Sequence, residues 1–194
     1  MKKKIEIDKE LKEILKNGTL INLTDGGKYT GMTKIIKKKS IPHGLGFAQW
    51  SNGHSYKGQW KEGKFHGWGN YISPGDYEYS GLWKNNYMNG YGEIIRSNGD
   101  TYKGEFKNSS MYGEGIYTIP GIFRHEGIFK DNKSNGKGKT TYLKKFENHE
   151  KGEVREGNFK DGKWHGNFTI TFPNGEVFKA KYNMGIYVEK KSSK

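Results

Sequence analysis

The chain has 194 residues, a hydrophobic content of 31%, a formal net charge of +13 and no cysteine. The missing cysteines exclude disulfides and thiolate metal sites and fit a cytoplasmic protein, and no stretch is apolar for long enough to span a bilayer. So little apolar content with so much charge is the composition of a disordered chain. The 14% aromatic content argues the other way, because Tyr, Trp and Phe bring a large apolar area per residue.

Met1-Lys-Lys-Lys4 has the charge of a signal-peptide start, but Glu6, Asp8 and Glu10 break the apolar stretch such a peptide needs next, so no signal peptide is read. Leu11, Ile14 and Leu15 stand at helical spacing. With Asp8 as N-cap and Gly18 as stop they predict a short amphipathic helix within residues 1–18 that caps the first edge of a sheet.

From residue 19 to residue 182 the chain is a repeat array. Tyr56-Lys-Gly58-Gln-Trp60 is succeeded at a constant spacing of 23 residues by Tyr79-Ser-Gly81-Leu-Trp83, Tyr102-Lys-Gly104-Glu-Phe106 and His125-Glu-Gly127-Ile-Phe129. Each is trailed by a second signature: His66-Gly67-Trp-Gly69, Asn89-Gly90-Tyr-Gly92, Tyr112-Gly113-Glu-Gly115, Asn135-Gly136-Lys-Gly138. A fixed period of this length marks units that stack on their neighbours. A further unit lies upstream, from Tyr29-Thr-Gly31 to His43-Gly44-Leu-Gly46, and Arg155-Glu-Gly157-Asn-Phe159 with His165-Gly166 opens another downstream. Phe178-Lys-Ala180-Lys-Tyr182 is a decayed last copy. Insertions fall near residues 34–39 and 143–151, and residues 183–194 form a basic tail.

Tyr56, Gly58 and Trp60 alternate with Lys57 and Gln59, which is the period of a strand, and Lys61-Glu62-Gly63-Lys64 supplies a turn. On the returning strand, plain alternation puts Gly67, Gly69 and Tyr71 on one face and His66, Trp68 and Asn70 on the other. Asn52-Gly53, Asn98-Gly99 and Asn174-Gly175 turn the chain between units. The fold class is therefore all-β: an elongated single-layer antiparallel meander of β-hairpins with a short N-terminal helix. Glycines such as Gly67, Gly90 and Gly113 are expected to clear space for a ring of the neighbouring unit.

The core Tyr-x-Gly-x-Trp-x-x-Gly-x-x-His-Gly-x-Gly, complete from Tyr56 to Gly69, resembles the MORN repeat over about residues 20–182. The departures are His125 and Arg155 for the leading tyrosine, Thr33 for a tryptophan, Phe168 for a second glycine, and Ala180. The resemblance implies a ribbon of β-hairpins and roles in scaffolding, at membrane–cytoskeleton junctions and in ciliary or flagellar structures. In some members the repeats are joined to enzymes, and too few residues lie outside the array here to hold such a domain.

No chemistry is read from the remaining residues. His43, His66 and His165 share one repeat position, which spreads them along the array instead of converging them on a metal. Gly138-Lys139-Thr140 imitates the end of a phosphate loop, but Lys133 stands where the first glycine is required. No catalytic, cofactor or metal residue is assigned, and no enzyme is expected.

The candidate partner face is the one opposite the glycines, where Leu45, Phe47, Trp68 and Tyr91 concentrate apolar character in the first half of the array. The candidate contacts to an anionic surface are Lys34, Lys37, Lys38 and Lys39 in one insertion and Lys144 and Lys145 in the other. With only Arg96, Arg124 and Arg155 as arginines, sequence-specific nucleic-acid binding is not expected. Three readings result: a non-catalytic scaffold for a protein partner in a cytoskeletal or ciliary assembly, a peripheral adaptor on an anionic membrane surface, or a regulatory subunit of a separate enzyme. A homodimer is compatible with each.

Overall fold

The computed structural model describes residues 2–188. Residues 189–194, half of the expected basic tail, lie outside the described residues. One helix precedes a single antiparallel sheet of 15 strands in which every strand pairs with its neighbours in sequence, as the meander reading requires. The chain divides into two compact units. The first holds residues up to Ser97 together with Lys107–Ser109, and the second holds Asn98–Phe106 and the residues from Ser110 onward.

The first unit contains α1 (Lys2–Asn17), β1 (Thr19–Asn22), β2 (Lys28–Ile36), β3 (Lys39–Gln49), β4 (Ser55–Lys61), β5 (Lys64–Ser73), β6 (Tyr77–Lys84) and β7 (Tyr87–Arg96). α1 starts at Lys2, so Asp8 is an interior helical position and not the cap. The run of Lys and Glu before Asp8 favours helix enough to carry it back to the N-terminus. Gly18 does end it, at a place where a Cβ would lie 2.9 Å from the Gly31 backbone nitrogen. The helix contacts β2 and β3, with Leu11 buried against Leu45, so it lies on the face of the sheet. The expected insertion near residues 34–39 is not a loop. It lengthens β2 and β3 and ends in a tight turn whose two central residues, Lys37 and Lys38, both have positive φ.

The hairpins β2/β3, β4/β5 and β6/β7 carry the same irregularity. Gly58 pairs with Gly69 but Trp60 pairs with Phe65, so Gln59 alone faces His66, Gly67 and Trp68. This bulge corrects the alternation expected for the returning strand, and it explains the first glycine of each second signature. Gly67 has φ +62 and Gly90 φ +99, a conformation that a side chain resists. Room for a ring is needed at the second glycine instead. A Cβ on Gly69 would stand 2.5 Å from Cε2 and Cζ of Tyr56, a ring of the same hairpin and not of its neighbour. Tyr29, Tyr56, Tyr79 and Tyr102 are all fully buried in this way. The hydroxyl of Tyr56 donates to the Gln59 carbonyl at 2.8 Å and that of Tyr79 to Leu82 at 2.9 Å, across the bulge.

The second unit contains β8 (Thr101–Lys107, whose last residue belongs to the first unit), β9 (Ser110–Ile119), β10 (Phe123–Lys130), β11 (Lys133–Tyr142), β12 (Val154–Lys160), β13 (Lys163–Thr171), β14 (Val177–Asn183) and β15 (Ile186–Tyr187). β15 pairs with β14 within the stretch expected to be tail. Here the leading tyrosine is replaced twice, and each replacement has a compensation. In the Arg155 hairpin Phe168 takes the place of the second glycine and covers Gly157 from the opposite strand, so the missing ring is supplied from the other side.

In the other hairpin His125 takes the tyrosine place. It is buried, its Nδ1 lies 2.8 Å from Thr140 Oγ1, and its Nε2 is buried without a partner. Burial lowers its pKa to about 4, against a smaller opposite pull from Glu126. The folded state therefore binds fewer protons than the unfolded chain between pH 6.5 and about 4. Stability is full above 6.5 and falls as pH drops through that window, by about 3 kcal/mol in all. Thermal unfolding monitored across pH 4–7 is expected to show this loss in the native chain, and His125→Tyr is expected to remove most of it.

Candidate functional site: an aromatic groove in the first unit

The face of the first unit that carries the buried tyrosines is not closed over. It holds a groove with a volume of about 810 Å³. Its floor is Trp60 and Trp83, which are locked in place: each indole Nε1 donates to a backbone carbonyl 3.3 Å away, that of Gly46 and of Gly69 respectively. Phe65 stacks on Tyr56 with ring centroids 3.8 Å apart and planes 9° from parallel, and stands edge-on to both tryptophans.

Above this floor the half-buried rings of Trp50, Phe65, Tyr71 and Tyr77 succeed one another at centroid steps of 6.2, 6.0 and 5.9 Å. Trp50 and His54 flank the turn between β3 and β4, which is closed by hydrogen bonds from Trp50 N to His54 O and from Gly53 N to Trp50 O. His54 Nδ1 lies 2.5 Å from the Tyr71 hydroxyl and fixes that ring. The Tyr71 phenol is raised above its ordinary pKa by burial and then by the Asp76 charge. Tyr77 is raised by burial, by Tyr71 and by Asp76. Both therefore carry their protons at neutral pH. The site is apolar and aromatic, with a few fixed polar groups, and its size is that of ordinary ligand clefts. Among the described residues, no three His, Asp or Glu side chains gather to hold a metal, and no helix is long and apolar enough to cross a membrane.

The residues singled out in the sequence lie elsewhere. Leu45 is buried under α1 and Trp68 packs against the same cluster, so these two are covered by the chain's own helix. Phe47 is half-buried, and Tyr91 remains 51% exposed. The four do not form one open face. Lys34 pairs with Glu62 at 3.7 Å and Lys145 with Glu150 at 3.4 Å. Lys37 and Lys38 form the tip of the long hairpin, Lys39 reaches the groove, and Lys144 is exposed in the other insertion. Sequence reasoning misses the groove itself because Trp50, His54 and Tyr77 fall outside the repeated signatures.

No curated protein matches the chain in sequence. Among solved structures, the TCP domain of SAS-4 (dCPAP) from Drosophila melanogaster, in complex with a proline-rich motif of Ana2 (dSTIL), is similar with a TM-score of 0.46 and 12% identity. The match covers 86% of this chain and 90% of that one, and the backbones superpose too loosely for residues of one to be placed on the other. The MORN repeat model matches residues 38–55, 56–75, 79–101, 102–121, 125–142 and 156–177, so the chain belongs to the MORN-repeat family.

Proposed function

We propose that this protein is a non-catalytic scaffold whose first unit holds a segment of a protein partner in the aromatic groove, within a cytoskeletal or ciliary assembly. The observation behind this reading is the groove: half-exposed rings over a floor of hydrogen-bonded tryptophans. A ring surface held rigid before binding loses little entropy when a ligand settles on it, and Trp and Tyr are the preferred anchors of protein interfaces.

The reading is tested by random-peptide display on the intact chain and on the double variant Trp50→Ser, Tyr77→Ser. Both rings are half-buried at the groove wall, so the variant is expected to keep its β-sheet circular dichroism. Peptides enriched on the native chain and lost on the folded variant are the expected result. Peptides that bind both chains equally contradict the assignment of the groove.

A further inference from the structure

α1 lies on the sheet face opposite the groove and is held there lightly. From Lys9 to Asn17 only Leu11 is buried and Ile14 half-buried, while Leu15 is 39% exposed. Among the described residues no side-chain hydrogen bond or ion pair ties the helix to the sheet, and the pair Lys16–Glu13 stays within the helix. Gly18, whose backbone abuts Gly31 of β2, pins the end of the helix, which contacts β2 and β3. An isolated helix of this length is marginal in water, so α1 depends on its seat on Leu45 and Trp68.

The apolar surface does not stop at that seat. Trp68 pairs with Leu82 across β5 and β6, and Leu82 alone faces Asn89, Gly90 and Tyr91 across the bulge between β6 and β7. Leu82 is half-buried and Tyr91 is 51% exposed. Gln59 stands in the same row between Leu45 and Trp68, and its Oε1 accepts the Trp68 N–H at 2.8 Å, so its polar end is turned onto the backbone. From β3 to β7 the strip runs about 19 Å at ~4.8 Å per strand, and a helix of about 13 residues spans it. The kind of occupant is set by what the seat already holds. α1 meets it with Leu11 and Ile14, three residues apart on one face of an amphipathic helix. We propose that α1 is a displaceable cover, and that the strip Leu45, Trp68, Leu82, Tyr91 is a second docking surface, for an amphipathic helix of a partner protein. α1 covers one end of this strip. A helix free of the Gly18 tether reaches the other end as well, and that added apolar contact is the differential affinity that moves α1 off. The surface is independent of the groove on the opposite face.

The test uses a fluorescein-labelled peptide of residues 2–17, titrated with the intact chain and with its Leu11→Asp variant and read by anisotropy. In the variant a charge replaces the one fully buried contact of α1, so the helix undocks and leaves the seat to the peptide. Saturable binding to Leu11→Asp is expected, about tenfold tighter than to the native chain, where the tethered α1 competes. A peptide carrying the same Leu11→Asp change is expected not to bind. Tyr91→Ser, added to the Leu11→Asp chain, changes an exposed residue that α1 does not cover. It is expected to keep the β-sheet circular dichroism and to weaken binding about fivefold. No binding to a Leu11→Asp chain that keeps its sheet signal overturns the proposal, as does equal binding to both chains or of both peptides. Binding unaffected by Tyr91→Ser confines the helix to the seat of α1 and overturns the wider surface. If Leu11→Asp loses the sheet signal, Leu11→Ala, which loosens α1 without adding a charge, is titrated in its place and is read by the same outcomes.

Discussion

Gly69→Ala is expected to destabilise the chain by about 3 kcal/mol, at the upper end of overpacking costs in well-filled cores. The added carbon would sit 2.5 Å from Cε2 and Cζ of Tyr56, and that ring has nowhere to go. It is fully buried, stacked on Phe65 at 3.8 Å, edge-on to Trp60 at 5.1 Å and to Trp83 at 5.6 Å, and tethered through its hydroxyl to the Gln59 carbonyl. For a chain of this size the loss lowers the melting temperature by roughly 6–12 °C. Gly63→Ala is the control. Gly63 has φ +78 at a hairpin tip with nothing within 4 Å of a Cβ, so its cost is that of the backbone conformation alone, about 1–2 kcal/mol. Equal melting temperatures for the two variants would show that the ring over the second glycine does not organise the hairpin.

The second large effect belongs to Glu153. Its side chain is fully buried beside the insertion at residues 143–151. Arg155 Nε donates to its Oε1 at 2.5 Å, His149 Nδ1 lies 3.3 Å from the same oxygen, and the Glu150 N–H donates to Oε2 at 3.1 Å. Burial opposes ionisation, but these hydrogen bonds outweigh it and hold the carboxyl below its usual range. Arg155 stands in a tyrosine place with its guanidinium 4.4 Å above the Trp164 ring, and His149 stacks on Tyr142 at 4.0 Å. Glu153→Gln leaves that cation without a counter-charge and is expected to cost about 3–5 kcal/mol. The double change Glu153→Leu, Arg155→Met removes the ion pair as a whole and leaves Phe168 in place over Gly157, so it is expected to recover most of the loss. A double variant no more stable than Glu153→Gln would mean that the pair is not what holds this hairpin.

Whatever repeats is legible in the sequence. Tyr56, Tyr79 and Tyr102 recur with their glycines at one spacing, and turn pairs such as Glu62-Gly63 and Asn98-Gly99 separate them, which fixes hairpins and a meander. The bulge is not legible, because strict alternation carries Gly67 to the ring face, whereas the two extra residues opposite Gln59 turn it away. α1 is legible as a helix but not in its placement. Leu45 and Trp68 have the character of an exposed interface, and only the position of Leu11 against them shows that they are covered. The groove is invisible for a similar reason. It depends on Trp50, His54 and Tyr77, which the repeat does not generate, and on β4, β5 and β6 bringing their rings to one wall.

The five tryptophans offer a direct reading of where a ligand sits. Trp50, Trp60 and Trp83 line the groove, Trp68 packs beneath α1, and Trp164 lies in the second unit under Arg155. In a ¹⁵N-labelled chain each indole N–H gives its own NMR signal. Titrated with a peptide recovered by display, the signals of Trp50, Trp60 and Trp83 are expected to shift together, and those of Trp68 and Trp164 to stay in place. Shifts at Trp68 or Trp164 with the groove signals unmoved would put the partner on another face and contradict the account.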